Sequence, residues 1–144
     1  MGNGETQIAS FTQLNAWKAA HELRLHIYKL TKVFPKDEQF ALTSQLRRAS
    51  TSVGSCLAEG FSRRTTKDKA HFYTMAQGSL TEVQDQLLLA RDLAYIDTSY
   101  FQELASKSVV THKLLTGLIK SINAHASLNG RAAAISDNLS DDWV

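Results

Sequence analysis

The stretch "YTMAQGSLTEVQDQLLLARDLA", Tyr73 to Ala94, decides the fold. Its residues Tyr73, Ala76, Leu80, Val83, Leu87, Ala90 and Ala94 recur at alternating steps of three and four. That step keeps one side of a helix apolar, whereas a half-buried strand alternates every second residue. Working outward, the same step appears in three further segments. The first reads Ala16, Ala20, Leu23, Ile27, Leu30, Phe34, and the second Leu42, Leu46, Ala49, Val53, Cys56, Gly60. The last reads Phe101, Leu104, Ser108, Thr111, Leu115, Leu118, Ile122. No segment alternates like a strand, so the expectation is an all-α chain. Short connections favour neighbours running in opposite directions, hence an up-down-up-down antiparallel four-helix bundle over residues 14–124.

Local chemistry supports the breaks. Pro35, the only proline, ends the first helix, and Asp37 and Glu38 suit the first turn of the second, where the helix dipole favours acids. Gly60 is expected to close the second helix, Thr65 or Thr66 to cap the third, and Asp97, Thr98 or Ser99 to cap the fourth. Residues 1–13 and 125–144 fall outside the periodic pattern and read as flexible ends. The last four residues, Asp141 to Val144, have the composition of a short docking peptide for a protein partner, although a frayed end is the plainer reading.

At 144 residues, with 43% hydrophobic and 21% charged residues, the chain has the balance of a single globular domain. No apolar run reaches the roughly 20 residues of a membrane-spanning helix, and the start lacks a secretory pattern. The expected location is the cytoplasm, without membrane association. "MGNGET" fits the loose myristoylation pattern, which chance often produces. A single cysteine, Cys56, fits a reducing compartment and packs as a small hydrophobe on the core side.

The charge is uneven. Trp17 to Lys120 holds fifteen Lys and Arg against ten Asp and Glu, a net +5, while the tail carries Asp137, Asp141 and Asp142 against Arg131. In an up-down bundle, one end gathers Lys18, Arg63, Arg64, Lys67, Lys69 and Lys120 against Glu22, Glu59 and Asp68. The third helix aims its N-terminal amides at this loop, a setting suited to phosphate. The candidate nucleic-acid-binding residues are therefore Arg63, Arg64, Lys67 and Lys69, with Arg47 and Arg48 joining either that surface or a contact between subunits.

The segment "QLRRASTSVGSCLAEGFSRR", Gln45 to Arg64, is unusual for its small residues. Ser50, Thr51, Gly54, Ser55 and Ala58 cover a second side of the helix beside the core side. Ser, Thr and Gly are poor in helix interiors, so they point to close approach by another subunit.

Signals for catalysis are weak. "HELRLH" is similar to the zinc-protease motif, but His21 and His26 are five apart, about 140° around a helix, and cannot share one metal. His71, His112 and His125 have no ligand neighbour at helical spacing. Glu59 sits where the dipole disfavours an acid, and a salt bridge to Arg63, Arg64 or a neighbouring helix explains it better than catalysis. No glycine loop resembles a nucleotide cradle. The expectation is a protein without enzymatic activity, cofactor or metal.

Four phrases, "AWKAAHEL", "YKLTKVFPKDEQFALTSQLRRASTSV", "LAEGFSRRTTKDKAHFY" and "AQGSLTEVQDQLLLARDLAYI", together resemble the bacterial 23S rRNA intervening-sequence proteins. The family's Phe-Pro followed by an acid matches Phe34, Pro35 and Glu38, and its Gln-x-x-Arg-Ala matches Gln45, Arg48 and Ala49. Its Ala-Glu-Gly matches Ala58, Glu59 and Gly60, and its Gly-Ser-x-x-Glu matches Gly78, Ser79 and Glu82, the structural motif residues. Cys56 replaces a common asparagine, and Gly54 replaces a frequent proline at a point where the second helix could bend. Such proteins are similar to the accessory variability protein of diversity-generating retroelements, a basic homopentamer associated with reverse transcriptase and nucleic acid. The resemblance thus implies a homo-oligomer, a pentamer first of all, and a nucleic-acid-binding or scaffolding role with RNA ahead of DNA. The competing expectation is a protein-interaction adaptor that binds no nucleic acid.

Overall fold

The computed structural model describes residues 7–128, so the acidic tail and the myristoylation pattern lie outside the described residues. Four helices account for most of them: α1 (Asn15–Thr31), α2 (Leu42–Ser62), α3 (Thr66–Asp92) and α4 (Thr98–Leu128). Among the described residues there is no strand. No helix is long and apolar enough to cross a membrane among those residues. Each helix packs on two others in the cycle α1, α2, α3, α4, around one shared core.

The residues expected at three-four spacing supply that core, with Leu23, Ile27, Leu46, Leu80, Leu87, Phe101 and Leu104 almost wholly buried. Ser108 and Thr111 are buried too, because each hydroxyl donates to the carbonyl three or four residues back, Ala105 O and Lys107 O. Of the other expected core positions, Leu118 and Ile122 are only partly buried, and Ala94 departs altogether. It is exposed and left-handed at φ 61°, two residues past the end of α3. Tyr95 N donates to Ala90 O and Ala94 N to Arg91 O, the paired bonds of a Schellman turn whose left-handed position usually holds glycine.

The other breaks also differ in detail from expectation. Lys36–Glu38 forms a separate 3-10 turn, so Asp37 and Glu38 precede α2 instead of lying in its first turn. Glu38 still serves the helix start, since its carboxylate accepts from Leu42 N at 3.3 Å. Helix α2 runs past Gly60 to Ser62. A Cβ at Gly60 would lie 2.7 Å from a Tyr73 ring carbon and 2.9 Å from Phe72 Cβ, so this glycine is there for close packing of α2 on α3. Thr65 caps α3 by accepting from Asp68 N, and Asp97 serves α4 by accepting from Tyr100 N. The folded region also reaches below residue 14: Ser10 caps a 3-10 turn, Phe11–Gln13, whose Phe11 packs edge-on against Trp17. Helix α4 likewise continues beyond 124 to Leu128.

Polar pairs cross every seam between neighbouring helices. Arg47 of α2 donates to Thr31 of α1, and Arg24 of α1 lies against Gly54 of α2. Between α2 and α3, Arg48 pairs with Glu82 and Ser52 with Ser79. Between α3 and α4, Gln84 donates to Ser108 and Gln77 to Thr116. Lys107 of α4 donates to Glu22 of α1 at 2.8 Å, which holds the Glu22 carboxyl below the usual carboxylate range.

Gly60→Ala should lower stability by about 1–3 kcal/mol, because neither the buried Tyr73 ring nor Phe72 Cβ can yield cheaply. Ala94→Gly should raise it by about 0.5–1 kcal/mol by relieving a left-handed backbone. Urea unfolding followed by circular dichroism measures both, and equal midpoints for the three proteins would refute the account. A double-mutant cycle on Arg48→Ala and Glu82→Ala should give a coupling of about 0.5 kcal/mol, the scale of a partly exposed ion pair.

Candidate nucleic-acid interface

The cationic loop between α2 and α3 forms because α2 ends at Ser62 and Thr65 already caps α3 three residues later. Its charged residues are not equivalent. Arg63 donates to Glu59 at 3.0 Å, one turn back on the same helix, and lies over the Phe72 ring at 4.5 Å. That ion pair accounts for Glu59 at a helix C-terminus. Lys69 turns inward: its amine donates to Phe61 O at 2.6 Å, lies over the Phe61 ring, and is pushed below the ordinary lysine range by burial. It satisfies a carbonyl that the end of α2 leaves unpaired. Arg64 and Lys67 are exposed and have no carboxylate partner among the described residues. Of the four loop cations, these two are the ones open to an outside anion.

Arg47 and Arg48 do not join this loop. Arg47 lies near the start of α2, where its Nε donates to Thr31 Oγ1 at 2.7 Å and its guanidinium covers the Tyr28 ring at 4.8 Å. Arg48 is tied to Glu82 on α3. The Arg48–Glu82 and Ser52–Ser79 pairs bring together the two phrases Gln45-x-x-Arg48-Ala49 and Gly78-Ser79-x-x-Glu82, which are over thirty residues apart in sequence. Gly78 itself is exposed, and a Cβ there would meet nothing within 4 Å.

The small residues of α2 divide in the same way. Ser50 is buried and donates to Arg47 O, and Gly54 is buried beneath the Arg24 guanidinium, where a Cβ would come within 2.9 Å of Nη1. Both are used inside the subunit. Ser55 is exposed, and Thr51 and Ala58 are partly exposed. Cys56 is buried, with its sulfur 3.7 Å from Ser52 Oγ.

Sequence reasoning missed a row on α1. Trp17, His21, Arg24 and Tyr28 repeat at four, three and four, one residue out of phase with the core series Ala16, Ala20, Leu23 and Ile27. The row faces α2: Trp17 stacks on His21 at 4.8 Å, His21 Nδ1 accepts from Arg24 Nε at 2.9 Å, and Tyr28 lies under Arg47. The shifted period was the signal that the sequence carried.

The described residues form surface grooves away from this loop. One of about 320 Å³ lies along α1 and α4 beside Glu22, Lys107 and Val110, and one of about 550 Å³ lies by Lys29, Lys32, Val33 and Tyr95. Neither is lined by the loop cations. No three His, Cys, Asp or Glu side chains among the described residues gather as a metal site. His71 and His125 are exposed, while His112 Nε2 is buried without a hydrogen-bond partner.

The family model described as 23S rRNA-intervening sequence protein matches residues 12–117. A crystal structure of a protein with unknown function from the S23 ribosomal protein family of Bacteroides thetaiotaomicron is 23% identical, with a TM-score of 0.68. The match covers 73% of this chain and 95% of that one, and at this identity it speaks for the fold. No curated protein matches the chain. Because the family match runs from the first 3-10 turn well into α4, the chain belongs to the 23S rRNA-intervening sequence protein family.

Proposed function

We propose that the protein is a non-enzymatic, cytoplasmic homo-oligomer that binds or scaffolds nucleic acid, RNA ahead of DNA, by electrostatic contact. The observation that carries this reading is the pair Arg64 and Lys67, exposed and without acid partners among the described residues, beside the start of α3. Contacts in which residue numbers rise on one helix as they fall on its neighbour support an up-down-up-down antiparallel course. On that course the loop shares one end of the bundle with the start of α1, which carries Lys18, and with the end of α4. The family's name favours RNA. A role without catalysis is supported by Glu59, which is paired with Arg63, and by Cys56, which is buried.

A pentamer is the favoured assembly, with Thr51, Ser55 and Ala58 at or near the contact. Repetition would gather the modest charge of each loop into one broad basic surface, which a strand of phosphates binds far better than a single pair. Light scattering at micromolar concentration should give five copies of the 16.0 kDa chain, and Ala58→Phe should dissociate them. A native monomer would refute the assembly.

Filter binding of structured RNA, duplex DNA and single strands at two salt concentrations tests the activity. Affinity should fall steeply with salt. On single strands, Arg64→Ala with Lys67→Ala should flatten the logarithmic slope by about 0.7 for each phosphate that is no longer neutralised. Lys69→Ala should act mainly on stability, because its amine is spent on Phe61 O. Absence of binding at low salt would defeat the nucleic-acid reading in favour of a protein-interaction adaptor.

A further inference from the structure

We infer that the seam between α1 and α2 is a phosphate-binding track for single-stranded nucleic acid, with Arg24 and Arg47 as its two anchoring cations. This rests on the nucleic-acid reading above and adds a site away from the α2–α3 loop.

Both guanidinium groups are held from behind. Arg24 Nε donates to His21 Nδ1 at 2.9 Å, His21 is stacked on Trp17 with only 9° between the rings, and Phe11 packs edge-on against Trp17. The head of Arg24 lies in the space that Gly54 leaves by having no side chain. Arg47 Nε donates to Thr31 Oγ1 and its Nη2 to Tyr28 O at 3.4 Å, with the guanidinium over the Tyr28 ring, which leaves Nη1 as its open nitrogen. Neither arginine has a carboxylate partner among the described residues. The acids that could have neutralised them are engaged elsewhere: Glu22 with Lys107, Glu59 with Arg63 and Glu82 with Arg48. Arg24 keeps both terminal nitrogens unbonded, and a pinned guanidinium loses little rotamer freedom on meeting an oxyanion.

Spacing and surroundings favour a strand over a lone anion. Arg47 and Gly54 are two helical turns apart on α2, a rise of about 10.5 Å, or about three phosphates of a stacked strand. Tyr28 is 42% exposed, which leaves part of an aromatic ring for a base to rest on.

The test uses the full chain with Trp143→Phe, which leaves Trp17 as the only tryptophan, 5.8 Å from the Arg24 guanidinium carbon. Titration with a single-stranded RNA oligonucleotide should change Trp17 emission saturably. Arg24→Gln with Arg47→Gln should abolish that change and weaken binding about tenfold at low salt, with helicity by circular dichroism retained. Gly54→Ala, which keeps both charges but displaces the Arg24 head, should weaken binding as well. The Arg64→Ala, Lys67→Ala protein should keep the emission change. RNA binding that is unaffected by the seam variants overturns this inference and leaves the loop reading intact. Absence of any RNA binding overturns both. Emission that follows protein dilution instead of RNA, with an assembly broken by Arg24→Gln, overturns it in favour of a contact between copies.

Discussion

The approach of α2 to α3 is the constraint on which the rest of the molecule depends. At Gly60 the two helices are close enough that even a methyl group would collide with the Tyr73 ring. Farther along the same seam, Ser52 meets Ser79 and Arg48 meets Glu82. A tight contact at one end and two polar contacts along the length fix distance and register together, since sliding either helix by a turn would bury unpaired hydroxyls. Once α2 and α3 are set, α1 and α4 have one apolar trough to fill, and their core residues at three-four spacing fill it.

The cations of this small protein divide by what their neighbours offer. Lys69 faces the open carbonyls at the end of α2, and Arg63 has an acid one turn back, so both are used to finish a helix. Arg48 bridges two helices. Arg64 and Lys67 on the loop, and Arg24 and Arg47 in the seam, lack carboxylates among the described residues. A net charge of +2 therefore says little about the surface, because much of the positive charge is already matched by local acids or carbonyls.

Core positions were legible in the sequence because burial in a helical protein follows a period that a single chain displays. Leu23, Leu46, Leu80 and Leu104 each fell on the expected side and are buried. What could not be read depended on partners distant in sequence or on backbone angles. Nothing local to Gly54 indicates that its space belongs to Arg24, thirty residues earlier, so its smallness reads as a surface awaiting another chain. Arg47 and Arg63 look alike in a charge count, yet one lies on Tyr28 and the other on Phe72. Ala94 continues the apolar step by coincidence, and only its left-handed φ reveals that the helix has already stopped. The Trp17, His21, Arg24, Tyr28 row was written plainly enough, but an aromatic and cationic series beside a core series is easily absorbed into it.

The short link between Ser62 and Thr66 also governs the order in which the fold assembles. Closing a three-residue loop costs little chain entropy, and Gly60 and Tyr73 then meet across only thirteen positions. The α1–α4 seam joins Glu22 to Lys107, eighty-five positions apart, through an ion pair with a largely exposed carboxylate. Local pairing precedes distant pairing when loop closure limits the rate. The α2–α3 hairpin is accordingly the natural nucleus of folding, and the outer edge between α1 and α4 is the last to close and the first to open.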